Sequence, residues 1–125
     1  MRFTCKVLII CILSCISISI YAQSTQVVAH RGYWDTPNNN QNSITALKCA
    51  QDIPVYGSEF DVNMTSDGVL VVCHGPAVGN IQNVQEATFA QVMGVTLENG
   101  EKVPTLEQYL KAGKKGLFSD FYRQC

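Results

Sequence analysis

Two short β-branched runs constrain this chain more than any other feature. Val27, Val28 and Ala29 lead into His30, and Val69 to Cys73 lead into His74. A brief apolar run bounded by polar or turn residues is the pattern of a buried strand, so two strands are expected to end on histidines. Between them, Asn42 to Asp52 places Ile44, Leu47 and Ala50 on one side at helical spacing, with Asn42 or Ser43 as N-cap. Residues 58–65 alternate with a period of two, which puts Glu59, Asp61 and Asn63 on one strand face and Phe60, Val62 and Met64 on the other. A turn is expected at Ser66-Asp67-Gly68 and a short helix at Thr88 to Val95. A second turn falls at Asn99-Gly100, followed by a helix capped by Thr105 with Leu106, Tyr109 and Leu110 on its apolar face. Strands alternating with helices predict an α/β fold in which helices cover a parallel sheet.

The first 22 residues read differently. Arg2 and Lys6 precede an apolar stretch from Val7 to about Ile20, and small or polar residues follow at Ala22, Gln23 and Ser24. This is the pattern of a secretory signal peptide cleaved after Ala22, and it predicts a secreted or periplasmic protein. About 14 apolar residues fall short of the roughly 20 needed to cross a bilayer, so no stable membrane span is expected after cleavage. Lipid attachment at Cys15 is the lesser alternative, because the apolar run continues past it.

Cleavage removes two of the nine basic residues and leaves seven against ten acidic, a net charge of about −3. No basic stripe remains for nucleic acid. Cys49, Cys73 and Cys125 survive, an odd count without a CxxC pair, which excludes a disulfide framework and a zinc site. Cys49 and Cys73 lie in apolar stretches and are expected to be packed thiols.

Active groups of parallel α/β folds collect at the carboxyl ends of strands. His30 and His74 end strands, and Glu59 and Asp61 share a strand face, so all four are expected at one mouth with Arg31 beside them. Two carboxylates at i and i+2 are hard oxygen ligands for Mg²⁺ or Ca²⁺. A cation there would neutralise a phosphate oxygen, Arg31 could grip the same anion, and two histidines could divide proton transfer. Taken singly each group has an ordinary reading: a solvated strand face, a satisfied structural histidine, a surface ion pair. Together they describe a phosphodiesterase site. Tyr33 and Trp34 are expected to pack under the following loop, since burial is the commoner use of aromatic rings.

The blocks "AHRGYW", "QNSITAL", "GSEFDVNMTSDGVLVVCHGP" and "VPTLEQYL" resemble, in order and spacing, the glycerophosphodiester phosphodiesterases. The resemblance implies a TIM-barrel (β/α)8 fold, of which this chain would hold the first two or three β/α units. It also implies metal-dependent hydrolysis of small glycerophosphodiesters to glycerol 3-phosphate and an alcohol. His30 and His74 would be the acid–base pair, Arg31 the phosphate contact, and Glu59 and Asp61 the ligands of Mg²⁺ or Ca²⁺. Gln41 stands where the family usually has glutamate, and Gly75 where it has the aspartate of a His-Asp pair. The third metal carboxylate of the family is a glutamate on the next strand, and Asp120 is the candidate here, in a tail that otherwise departs from the pattern.

The expected organisation is therefore a signal peptide at 1–22, the N-terminal part of the phosphodiesterase domain at 23–115, and an unmatched tail at 116–125, which reads as a lost frame or early stop. A full barrel takes roughly 250 residues. A shorter piece would carry unpaired strand edges and tend to self-associate. The alternative function is a catalytically inactive remnant that still binds phosphate.

Overall fold

A computed structural model describes residues 25–113. Strand β1 (Val28–Ala29) pairs in parallel with β2 (Gly57–Ser58), Val28 opposite Gly57 and Ala29 opposite Ser58. Helix α1 (Ile44–Gln51) makes the crossover between them, as a parallel pair requires. Strands β3 (Val62–Met64) and β4 (Leu70–Val72) form an antiparallel hairpin in the register Val62 to Val72 and Met64 to Leu70. A 3₁₀ turn (Val84–Glu86), helix α2 (Phe89–Gly94) and helix α3 (Leu106–Gly113) complete the described chain. No helix among the described residues is long and apolar enough to cross a membrane.

The helices start where local chemistry starts them. Ser43 accepts a hydrogen bond from the Ala46 N–H at 3.0 Å and caps α1. Thr88 and Gln91 form a reciprocal capping box on α2, and Thr105 and Gln108 exchange the same two bonds on α3, at 3.1 and 2.9 Å. Helix α1 has no acid in its own first turn. The carboxylate of Glu101 fills that place, accepting from the Ile44 N–H at 3.0 Å, the Thr45 N–H at 3.2 Å and the Thr45 hydroxyl. Negative charge at exposed helix N–H groups is favourable, and here it ties a distant loop to α1.

Strand β4 separates two apolar clusters. Val71 packs with Cys73, Val84, Val92, Val95 and Val103, whereas its neighbour Val72 packs with Leu47 and Tyr109 on the other side. Successive strand side chains point to opposite faces, so both faces of β4 are buried. That is why this run lacks an apolar–polar alternation. Phe60 stacks obliquely on Tyr109 with ring centroids 4.8 Å apart.

Four expectations change. Residues 58–65 are not one strand: pairing stops at Ser58 and resumes at Val62 with β4 as the partner. The short turn at Ser66–Gly68, closed by Gly68 N–H to Thr65 C=O at 2.9 Å, cannot make a parallel crossover, so the third strand runs antiparallel. Val27 and Val28 are 61 % and 45 % exposed rather than buried, because β2 alone lies beside β1 among the described residues. Of the predicted apolar face only Phe60 packs, while Val62, Met64 and the cross-strand Leu70 stay exposed.

Candidate active site

The turn after β1 is built from two left-handed residues, Arg31 at φ 59° and Gly32 at φ 84°. For arginine that conformation costs roughly 1–2 kcal/mol, and such backbone strain persists where its surroundings hold it. The Arg31 N–H donates to Glu59 Oε2 at 3.1 Å, its carbonyl accepts from Asn42 N–H at 3.0 Å, and Tyr33 N–H reaches the Ala46 carbonyl at 3.0 Å. Gly32 is required twice over, since a Cβ there would lie 2.7 Å from the Ala46 carbonyl carbon and Cβ.

This turn brings the expected residues together. His30 Nε2 stands 4.0 Å from Glu59 Oε2, both side chains open to solvent. Arg31 Nε stands 3.1 Å from Asp61 Oδ2. The pair is electrostatic: the buried Nε–H is not aimed to make a hydrogen bond. A second guanidinium nitrogen, Nη1, donates to Gln41 Oε1 at 2.7 Å. His74 is exposed at the end of β4 and lines a cavity of about 220 Å³ shared with Asn40 and Gln41. It shares that cavity with Gln41, whose Oε1 is bonded to Arg31. The chain ahead of it is held by Cys73 N–H to the Asp61 carbonyl at 3.1 Å and by Asn63 Nδ2 to the Cys73 carbonyl at 2.7 Å.

Three contributors lie outside the expected set. Gln41 orients Arg31. Asn42, buried and at φ 59°, donates to Asp61 Oδ2 at 3.0 Å and accepts the Asp61 N–H at 3.1 Å. Its place beside the helix cap was the available signal, but a capping residue and a clamp on a carboxylate look alike in sequence. Gly75, where aspartate is usual, is packed against the Asn63 amide: a Cβ there would lie 2.6 Å from Asn63 Oδ1.

The donor chemistry of Glu59 and Asp61 fits a hard divalent cation in part. Their hydrogen bonds among the described residues fall on Oε2 and Oδ2, which leaves Oε1 and Oδ1 for an ion. Among those residues no three His, Cys, Asp or Glu side chains cluster as a metal cage, so these two would supply part of a coordination shell. Asp120, the third candidate, lies outside the described residues.

Burial, and then the Asp61 charge, push the Cys73 thiol up to about 11. Cys49 and Cys73 are free thiols, the first half-buried and the second buried. Tyr33 and Trp34 are 44 % and 37 % exposed rather than packed under the following loop.

The model of the glycerophosphoryl diester phosphodiesterase family matches residues 30–121. A curated glycerophosphodiester phosphodiesterase of Caldanaerobacter subterraneus is 37 % identical over 93 residues, which are 66 % of this chain and 37 % of that protein. The crystal structure of a glycerophosphodiester phosphodiesterase from Parabacteroides distasonis is 51 % identical with a TM-score of 0.68, over 72 % of this chain and 37 % of that one. An Oleispira antarctica phosphodiesterase, solved with its product sn-glycerol-3-phosphate, shares the fold at 22 % identity and a TM-score of 0.64, over 73 % and 40 % of the two chains. The described residues are thus part of the TIM-barrel fold of these enzymes, and the chain spans about two fifths of their length. With its HRG turn, its paired carboxylates and the histidine after β4 all inside the matched span, the chain belongs to the glycerophosphoryl diester phosphodiesterase family.

Proposed function

We propose that this chain carries the N-terminal half of a metal-dependent glycerophosphodiesterase site, which cleaves small glycerophosphodiesters to glycerol 3-phosphate and an alcohol. One observation carries the reading: a strained Arg31 turn gathers Glu59 and Asp61 at 3.1 Å each, with His30 at its rim. One of Arg31's five donors is engaged, by Gln41, and Nε is buried beside Asp61, which leaves the remaining guanidinium N–H groups for a phosphate oxygen. One histidine of the pair His30 and His74 takes the proton of the attacking water. The new P–O bond forms, the ester P–O bond to the alcohol breaks, and the other histidine protonates the departing oxygen. A divalent ion, Mg²⁺ or Ca²⁺, held by Glu59 and Asp61 with Asp120 as third candidate, would neutralise charge on the phosphate.

The same reading places cleavage after Ala22 and a secreted or periplasmic mature chain. It also has β1 and β2, partnered only by each other among the described residues, as the edges through which copies self-associate.

The test is release of glycerol 3-phosphate from glycerophosphocholine by purified residues 23–125, with Mg²⁺ or Ca²⁺, with chelator, and with His30→Ala, the oligomeric state being measured in parallel. Metal-dependent turnover lost in the variant is expected. A second reading, phosphate binding without catalysis, is favoured by the clustering of only two carboxylates among the described residues. A folded sample that binds glycerol 3-phosphate but turns nothing over would establish it.

A further inference from the structure

Two uncovered faces lie at opposite ends of α2. At its start, the Phe89 N–H donates at 2.9 Å to Asp67, in the tip of the β3–β4 hairpin. At its end, Lys102 Nζ donates to the Gly94 carbonyl at 3.4 Å, and Met93 lines a groove of about 630 Å³ shared with α1 and α3. We propose that the hairpin of one copy docks in this groove of a second copy, so that the chain assembles head to tail.

The groove joins an apolar floor to a cationic rim. Ile44, Met93, Val103 and Pro104 are buried or half-buried, whereas Lys48, Lys102 and Lys111 are exposed. No other lysine occurs among the described residues. Lys111 pairs with Glu107 at 2.6 Å, an exposed contact of small worth. Among the described residues Lys102 Nζ meets the neutral oxygens of Gly94 and Thr96, and Lys48 has no ion pair. Glu101 also lines the groove, but its carboxylate is bonded to the first N–H groups of α1, whose positive end offsets it. Cationic charge is thus gathered in one place on a chain whose net charge is negative.

The hairpin presents the opposite chemistry. Met64 faces Leu70 across the strands and Val62 lies two residues along on the same face, all three exposed. Asp67 accepts from the Thr65 hydroxyl and the Phe89 N–H through Oδ1, which leaves Oδ2 free. Ser66 N–H to the Ala87 carbonyl at 2.9 Å brings the 3₁₀ turn and its exposed Glu86 beside the hairpin tip. No lysine or arginine occurs from Val62 to Ala87. A neutral apolar partner would leave Lys48 and Lys102 unpaired, and a purely polar anion would leave the groove floor in water. An apolar hairpin with an acidic tip satisfies both. Because groove and hairpin are different patches, the contact is heterologous and repeats from copy to copy. It is distinct from pairing through the β1 and β2 edges, and it does not depend on the phosphodiesterase reading.

The test is sedimentation velocity of the purified full chain over a range of concentrations, at low and high salt. The mean mass should grow with concentration, and the association should weaken with salt as the exposed charges are screened. Lys48→Glu in the groove and Met64→Lys on the hairpin should each weaken association about tenfold by placing like charges in contact. Both positions are exposed, so the folded chain should tolerate either change. An equal mixture of the two variants should associate to within about threefold of the parent, because each altered face then meets its opposite charge. Asp67→Asn keeps the acceptor for Phe89 and Thr65, removes the charge, and should weaken association about threefold. A parent that stays monomeric, or a mixture that fails to recover, would overturn the inference. Association that survives both charge changes would overturn it too, and would assign self-assembly to the β1 and β2 edges. None of these outcomes depends on turnover.

Discussion

Asn42 and Asp61 hold each other by two hydrogen bonds, Nδ2 to Oδ2 at 3.0 Å and Oδ1 to the backbone N–H at 3.1 Å. The pair locks the second carboxylate of the candidate metal site to the residue preceding the α1 cap. Asn42→Ala leaves the half-buried Asp61 N–H without its partner and puts a Cβ-bearing residue with poor left-handed propensity at φ 59°. A loss of about 2–3 kcal/mol is expected from the unmade bonds and the strain together. Asn42→Gly removes the bonds but not the conformational fit, so its urea midpoint should lie above that of the alanine variant. The reverse order would show that backbone strain at this position is unimportant.

Glu101 joins the loop before α3 to the start of α1 across 57 and 56 residues of sequence. Glu101→Gln keeps the shape and removes the charge facing the helix N–H groups. About 1 kcal/mol of stability should be lost, and the loss should shrink at high salt. Equal urea midpoints for parent and variant in low salt would contradict the anchoring role.

Tyr109 is almost fully buried, yet its hydroxyl and the neighbouring buried hydroxyl of Ser58 both lack a hydrogen bond. Ser58 lies close enough to act on the phenol, but the geometry falls short of a bond. Tyr109→Phe keeps the contact with Phe60 and deletes an unsatisfied polar atom. Stability should be unchanged or rise by up to about 1 kcal/mol; a loss larger than that in urea unfolding would mean the hydroxyl is satisfied in solution.

Alkaline pH should weaken the fold. Burial pushes the Cys73 thiol from 9.0 to about 11, with the Asp61 charge adding to it. Burial likewise pushes the Tyr109 phenol from 10.0 to about 12, opposed by Ser58 and aided by the Glu59 charge. Both folded-state values are raised, so the folded protein keeps protons that the unfolded chain releases. Their stabilising contribution is complete below about pH 9 and is lost as pH rises through about 11 to 12. The urea midpoint should fall over that range, and less steeply in Cys73→Ala. At pH 8, peptide mapping should find Cys73 unalkylated until denaturant is added.

Gly75 and Asn63 occupy one space. Restoring the family's usual residue by Gly75→Asp drives a Cβ to within 2.6 Å of Asn63 Oδ1, and overpacking of this kind costs about 1–3 kcal/mol. Shortening the neighbour with Asn63→Ser should recover part of that cost. A double-mutant cycle should give a coupling above about 0.5 kcal/mol, and additive effects would separate the two positions.

The elements of this chain follow from neighbours a few residues apart. Ser43, Thr88 and Thr105 mark the helix starts through bonds to residues three positions on, and such short-range chemistry is visible in sequence. The candidate residues His30, Arg31, Glu59, Asp61 and His74 were legible for a related reason: each lies within a few residues of a short strand, although Glu59 and Asp61 fall in the break between β2 and β3 and not on the single strand face that the alternation suggested. The antiparallel hairpin was foreshadowed by the Ser66–Gly68 turn, but its consequence, a break at Ser58, depended on which strand found which partner. Contacts across 10, 19 and 57 residues decided the rest. They gave Gln41 to Arg31, Asn42 to Asp61 and Glu101 to α1, and left Trp34 facing a cavity instead of a core. No local pattern encodes such pairings, because each is chosen when packing excludes water from one arrangement of the whole fold and leaves buried polar atoms to find the partners that remain.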